Sequence, residues 1–167
     1  MPHKAISNTS PLLYLYRIGG LKWLPKLFDS VWLPSAVIEE FRAGRRKGYE
    51  VPNPDEYAWL EIVDPKAMPS EWLSLDLGPG ELAAMALALE NPTRIVLLDD
   101  LLARRTAQAA GLTVWGTLKI LLEAKSDRLI PKVEPYIHQL VNRACGFQMI
   151  FERGYCHWQV KDKIHLE

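Results

Sequence analysis

The chain has 167 residues, of which 49% are hydrophobic and 24% charged, and its 20 basic and 20 acidic side chains cancel. That length fits one domain able to bury a real core, and the composition is ordinary for a globular protein. No apolar run approaches the roughly 20 residues of a membrane span, and with no global field any nucleic-acid contact must come from local clusters.

The first residues lack the charged, apolar and small-residue succession of a secretory signal, so a cytoplasmic location is expected. Cys145 and Cys156 form no CxxC; a disulfide between them stays open, although a reducing compartment favours free thiols.

In chain order, residues 3–7 read as a strand that runs into Asn8-Thr9-Ser10-Pro11. Ser10 is a natural N-cap and Pro11 a natural first helical residue, so a short helix Pro11–Ile18 is predicted, stopped by Gly19-Gly20. A second short helix, Leu21–Leu27, is interrupted or kinked by Pro25. Ser30–Leu33 is the second strand, and Pro34-Ser35 open a helix to about Arg45 with Val37, Ile38 and Phe41 as its apolar stripe. Residues 48–57 read as a loop, Trp59–Val63 as an edge-like third strand, and 64–78 as breaker-rich with one turn-like helix. Gly78-Pro79-Gly80 introduce an Ala- and Leu-rich helix, Glu81–Glu90, that stops at Asn91-Pro92. Arg94–Leu98 is the fourth strand, Leu101–Ala110 a helix ending at Gly111, and Leu112–Trp115 the fifth strand. Gly116-Thr117 start a helix to about Lys125, and Pro131–Arg143 is the last one predicted. Residues 146–167 show little periodicity. Strands alternating with helices indicate an α/β fold, with a mostly parallel sheet between two helical layers. We assign residues 1–145 to one domain and 146–167 to its C-terminal appendage.

In such folds ligands bind outside the carboxyl ends of the strands. Asn8 ends the first strand and Asp99-Asp100 the fourth. The pair reads either as an N-cap with its neighbour or as ligands of a hard cation, which needs oxygen donors and offsets their repulsion. Of Glu39-Glu40, which point about 100° apart on a helix, Glu40 lies beside the apolar stripe and is the inward acid. Glu81 reads first as a carboxylate answering the helix dipole and second as a ligand. Gly78-Pro79-Gly80 is no phosphate loop. His3, His138, His157 and His165 show no paired ligand spacing, and no GxSxG supports a serine nucleophile. Arg42, Arg45, Arg46 and Lys47 are the densest basic cluster, equally readable as cations at a helix C-terminus.

These segments together, Ile6-Ser7-Asn8-Thr9-Ser10-Pro11-Leu12, Leu33-Pro34 to Glu39-Glu40, Gly78-Pro79-Gly80-Glu81-Leu82-Ala83-Ala84 and Leu98-Asp99-Asp100 through Arg104 to Gly116-Thr117, resemble the PIN-domain family across roughly residues 4–125. The resemblance is to a prokaryotic branch of PIN-like nucleic-acid-binding proteins. It implies a three-layer α/β/α PIN-like fold and a Mg²⁺- or Mn²⁺-dependent ribonuclease, in many small prokaryotic members a toxin held by an antitoxin. It places the catalytic and metal-binding positions at Asn8, Glu40, Glu81 and Asp99, with Asp100 adjacent. PIN nucleases usually carry Asp where this chain has Asn8. Thr9, Ser10 and Thr117 are implied in support, and Arg42, Arg45, Arg46 and Arg104 as contacts to the RNA backbone. The expected partners are RNA, a small antitoxin protein and a second copy of the chain. A catalytically silent PIN-like module that binds RNA or a protein partner is the alternative.

Overall fold

The computed structural model describes residues 3–144. The expected appendage 146–167, both cysteines, His157 and His165 lie outside the described residues. Five strands, β1 (His3–Ser7), β2 (Phe28–Leu33), β3 (Leu60–Ile62), β4 (Ile95–Leu97) and β5 (Val114–Trp115), form one sheet in the order β3-β2-β1-β4-β5. Every neighbouring pair is parallel. Among the described residues seven α-helices flank it: α1 (Thr9–Arg17), α2 (Leu24–Leu27), α3 (Ser35–Arg46), α4 (Pro79–Glu90), α5 (Leu101–Ala109), α6 (Thr117–Ser126) and α7 (Glu134–Ala144).

Parallel strands need helical crossovers, and those crossovers cover both faces of the sheet. On one face Ala5, Val31, Leu33, Ile95 and Leu97 pack with side chains of α1, α2, α3 and α6. On the other, Ile6, Val96 and Leu98 pack with Met85, Leu87 and Ala88 of α4 and Ala103 and Ala107 of α5. The alternation along β1 and β4 therefore supplies both cores at once. Helix α4 is apolar nearly all round, and Ala83 through Ala88 are all buried, as expected of a helix pressed between the sheet and its neighbours. Leu97 has no exposed surface. Leu97→Ala is expected to cost about 2–5 kcal/mol, read as a lower urea midpoint with an unchanged denaturant slope.

The boundaries differ from the sequence reading where tertiary pairing overrides local signals. Strand β2 starts at Phe28 because His3 and Lys4 pair with Phe28 and Ser30, although Asp29 disfavours a strand. Residues Leu21–Trp23 are a 3-10 turn leading into α2, with Pro25 in its first turn, where its missing N–H costs nothing. Helix α7 begins at Glu134 and uses Pro135 in its first turn in place of Pro131. Helix α1 begins at Thr9 with Asn8 as its N-cap, which places Pro11 third in the helix.

Candidate active site at the strand ends

Strand β1 is where the strand order reverses: the chain moves outward through β2 and β3, then returns to lay β4 on the other side. The crevice between the carboxyl ends of β1 and β4 is thus the topological switch point, the favoured ligand position in open α/β sheets. Ser7 pairs with Leu97, and the Asn8 N–H donates to the Leu97 carbonyl at 3.1 Å. Asn8 and Asp99 therefore leave adjacent strands side by side.

Helices α1, α3, α4, α5 and α6 begin at or near this end of the sheet, and N–H groups in their first turns need acceptors. At four of these five helices an acidic side chain meets one such need. Asp64 accepts from the Ser35 N–H and hydroxyl of α3 at 2.7 and 2.8 Å. Glu40 accepts from the Gly80 N–H of α4 at 2.8 Å, while Glu81 reaches back to the Gly78 N–H at 3.0 Å. Asp100 caps α5 through the Ala103 N–H at 2.7 Å. Asp99 accepts from the Thr117 N–H of α6 at 2.8 Å and from its hydroxyl at 2.6 Å.

Helix α1 is the exception. Asn8 is among the best N-cap residues, but its side chain makes no cap bond. An N-cap oxygen normally accepts from the second or third helical N–H, and the third residue here is Pro11, which has none. The Asn8 residue is only 2% exposed, and its Oδ1 is buried without a hydrogen-bond partner. Such an atom is costly unless something satisfies it.

Glu40 is half-buried and faces inward, whereas Glu39 is exposed and pairs with Arg42 at 2.6 Å. The second Glu40 oxygen accepts from the Thr9 hydroxyl, so Glu40 ties the starts of α1 and α4 to α3. Glu81 is buried at 6% exposure. Asp99 keeps some exposed surface as a residue, but its carboxyl group is enclosed. Burial pushes that carboxyl above the usual carboxylate range, opposed by the Thr117 hydrogen bonds and the charge of Arg104. Ser10 is the second residue of α1 and half-buried.

The basic residues separate into two places. Arg104 lies on α5 beside Asp99. Arg42, Arg45 and Arg46 are on the far half of α3, where Arg45 donates to the Pro52 carbonyl at 3.2 Å.

Two contributors carry no side chain, Gly80 and Gly116, and in the sequence both read only as the openings of helices. A Cβ on Gly80 would lie 2.7–2.9 Å from the Glu40 carboxylate. One on Gly116 would lie 2.8 Å from Arg104 Nη1 and 3.1 Å from Asp99 Oδ1. Each glycine admits a charged group that any larger residue would displace. A glycine at a helix start, with acids at neighbouring strand ends, is the sequence signal for either role.

Residues 4–149 match the family described as DUF3368, a PIN domain. The chain is a PIN-domain protein. Among solved structures it is similar to a PilT N-terminus domain protein of the hyperthermophilic archaeon Sulfolobus solfataricus P2, with a TM-score of 0.52 and 14% identity over 72% of this chain and 92% of that one. No curated protein matches it in sequence. PIN domains are generally nucleases and usually use divalent metal ions.

The donors at the crevice of this PIN domain are all oxygens, as a hard divalent cation requires. Among the described residues no three His, Cys, Asp or Glu side chains converge closely enough to hold an ion. Oxygen donors of this kind suit a hard divalent cation bound through one or two carboxylates, with water and substrate phosphate filling the shell. The buried, unsatisfied Asn8 Oδ1 is the donor most in need of such a partner.

Proposed function

We propose that this PIN-domain protein is a metal-dependent ribonuclease that cleaves phosphodiester bonds at the β1–β4 crevice, and that it acts as the toxin of a toxin–antitoxin pair. The single observation supporting this reading is the Asn8 amide oxygen, buried and unsatisfied at the switch point of the sheet. Asn8 and Asp99 are the residues that would hold Mg²⁺ or Mn²⁺, with Glu81 as a further acid of the set. A bound ion supplies activation of a water and charge stabilisation at the scissile phosphate.

The chain's own residues do the rest. Thr117 fixes the Asp99 carboxylate through both oxygens, so its orientation is set before substrate arrives. Thr9 and Gly80 do the same for Glu40, which acts as the strut between the helices carrying Asn8 and Glu81. Arg104 offers a planar donor fork to a phosphate, while Arg42, Arg45 and Arg46 offer contacts to the backbone farther along α3, none of them reading sequence. The silent-module alternative draws support from how fully Glu40 and Asp99 are engaged within the protein.

One assay separates the two readings. Purified protein is incubated with a structured RNA and Mn²⁺, beside Glu40→Gln and Asn8→Asp. Metal-dependent cleavage that Asn8→Asp increases, because a charged ligand holds the ion more tightly, supports the nuclease. Cleavage identical in every sample would come from a contaminant and sink it. A small neighbouring open reading frame whose product suppresses cleavage would establish the antitoxin.

A further inference from the structure

A groove of about 470 Å³ runs between α5 and the 3-10 segment Ser70–Ser74, lined by Trp72, Arg105, Thr106, Ala109 and Ala110. That volume lies within the range of about 300–1,000 Å³ typical of small-ligand sites. Trp72 is only 7% exposed and packs in the core with Met85, Leu87 and Ala103, so its indole is a fixed wall. Arg105 is exposed at the rim and makes no hydrogen bond or ion pair among the described residues. Arg42 and Arg45, by contrast, spend donors on Glu39 and on the Pro52 carbonyl. Thr106 adds a hydroxyl that can donate or accept. Ala109 and Ala110 keep the space open, and among the described residues no carboxylate lines it.

We infer that this groove is a subsite for one unpaired nucleotide of an RNA strand that also occupies the crevice. The inference rests on the reading of the crevice as a ribonuclease site. An aromatic wall stacks on any base, and a guanidinium with free donors grips phosphate. The Thr106 hydroxyl can serve sugar, phosphate or base edge. Arg104 and Arg105 are consecutive on α5 and point about 100° apart, Arg104 beside Asp99 and Arg105 into the groove. The near end of the groove thus lies within one turn of α5, about 5.4 Å along its axis, from the Arg104 position. A docked protein helix would need anchors at i, i+3, i+4 and i+7, a longer trough than these five residues form. A base held in a duplex is already stacked on its neighbours, so the groove favours single strands.

The test measures binding apart from cleavage. The full chain, in EDTA, is titrated into a short fluorescein-labelled single-stranded RNA and into a duplex of the same sequence, read by fluorescence anisotropy. Two variants at exposed positions accompany wild type, with circular dichroism to check their folds. Ala109→Leu fills the groove with little change in helix propensity, and Arg105→Gln removes the charge. Wild type is expected to prefer the single strand. Ala109→Leu should weaken single-strand binding at least about fivefold, the lower end of what losing one base stack costs, and leave duplex binding unchanged. Arg105→Gln should reduce the slope of log affinity against log salt by about 0.7 on the single strand. Equal single-strand affinity in wild type and Ala109→Leu would overturn the inference, as would an equal loss on the duplex or a salt slope unchanged in Arg105→Gln. Wild type that binds neither RNA would overturn it too. Cleavage in Mn²⁺ decides the ribonuclease reading separately: the expected binding pattern without cleavage keeps the groove as an RNA site and sinks the nuclease.

Discussion

Asp99→Asn is expected to remove RNA cleavage while leaving the metal-free protein as stable as wild type or more so. The activity loss follows from replacing a charged oxygen donor with a neutral one at a site that already lacks charge at Asn8. It should exceed the roughly 10–100-fold that changes to outer-shell partners of a metal typically cost. The stability expectation follows from the direction of the carboxyl's shift. Burial, the largest cause, raises it above its ordinary 3.8, and the Thr117 bonds and Arg104 only partly offset this. The native state therefore holds that proton more tightly than the unfolded chain. Stability falls as pH rises from the ordinary carboxylate value through the raised one, and ionised Asp99 carries a cost at neutral pH. Asparagine keeps the geometry, because its oxygen accepts the Thr117 N–H and its amide donates to the Thr117 hydroxyl. Thermal unfolding in chelator, followed from the ordinary carboxylate value up to neutral pH, checks this: the variant's curve should be flatter and no lower at neutral pH. A marked loss of stability there would mean that the ionised carboxylate is a net anchor for α6.

The second large effect is expected at Gly80, where an added methyl group would meet the Glu40 carboxylate at under 3 Å. Glu40 is the flexible partner, so it swings away and the helix start stays in place. Two bonds to a charged group are then at risk, from the Gly80 N–H and from the Thr9 hydroxyl, each worth about 1.5–3 kcal/mol. Against this stands a gain of at most about 1 kcal/mol from alanine's helix propensity. With both bonds lost, those opposing terms leave a net destabilisation of about 2–5 kcal/mol, with loss of cleavage from the freed Glu40. A double-mutant cycle in urea isolates the cause: in a Glu40→Ala background the Gly80→Ala change should become neutral or stabilising. An undiminished penalty there would place the clash elsewhere.

These contacts also show what the sequence makes legible. Asn8 and Asp99 could be singled out because each ends an apolar run just before a helix start, a purely local pattern. Glu40 could be chosen over Glu39 because helical spacing puts it beside Val37 and Phe41. The two readings of Asp99-Asp100 were a cap and a ligand pair; in the fold Asp100 caps α5 and Asp99 turns to α6. What stayed hidden were pairings across long separations: Gly80 with Glu40 lies 40 residues away, and Thr117 with Asp99 lies 18. Neither has a local signature, since a backbone N–H is the same at every residue. The element order was readable from the alternation of strands and helices. The start of β2 was not, because its pairing with His3 and Lys4 outweighs a locally unfavourable Asp29.

The outer strands of the sheet constrain how any protein partner can attach. Strand β3 has three residues and β5 two, and each pairs on one side only within the sheet. Recognition by strand addition needs a longer run of free backbone N–H and C=O groups to template an incoming segment, and short edges of this kind discourage such growth. Among the described residues these edges offer little template, so the proposed antitoxin, or a second copy, is expected to grip side chains on the helical layers, with its specificity written in surface residues that can change without disturbing the sheet.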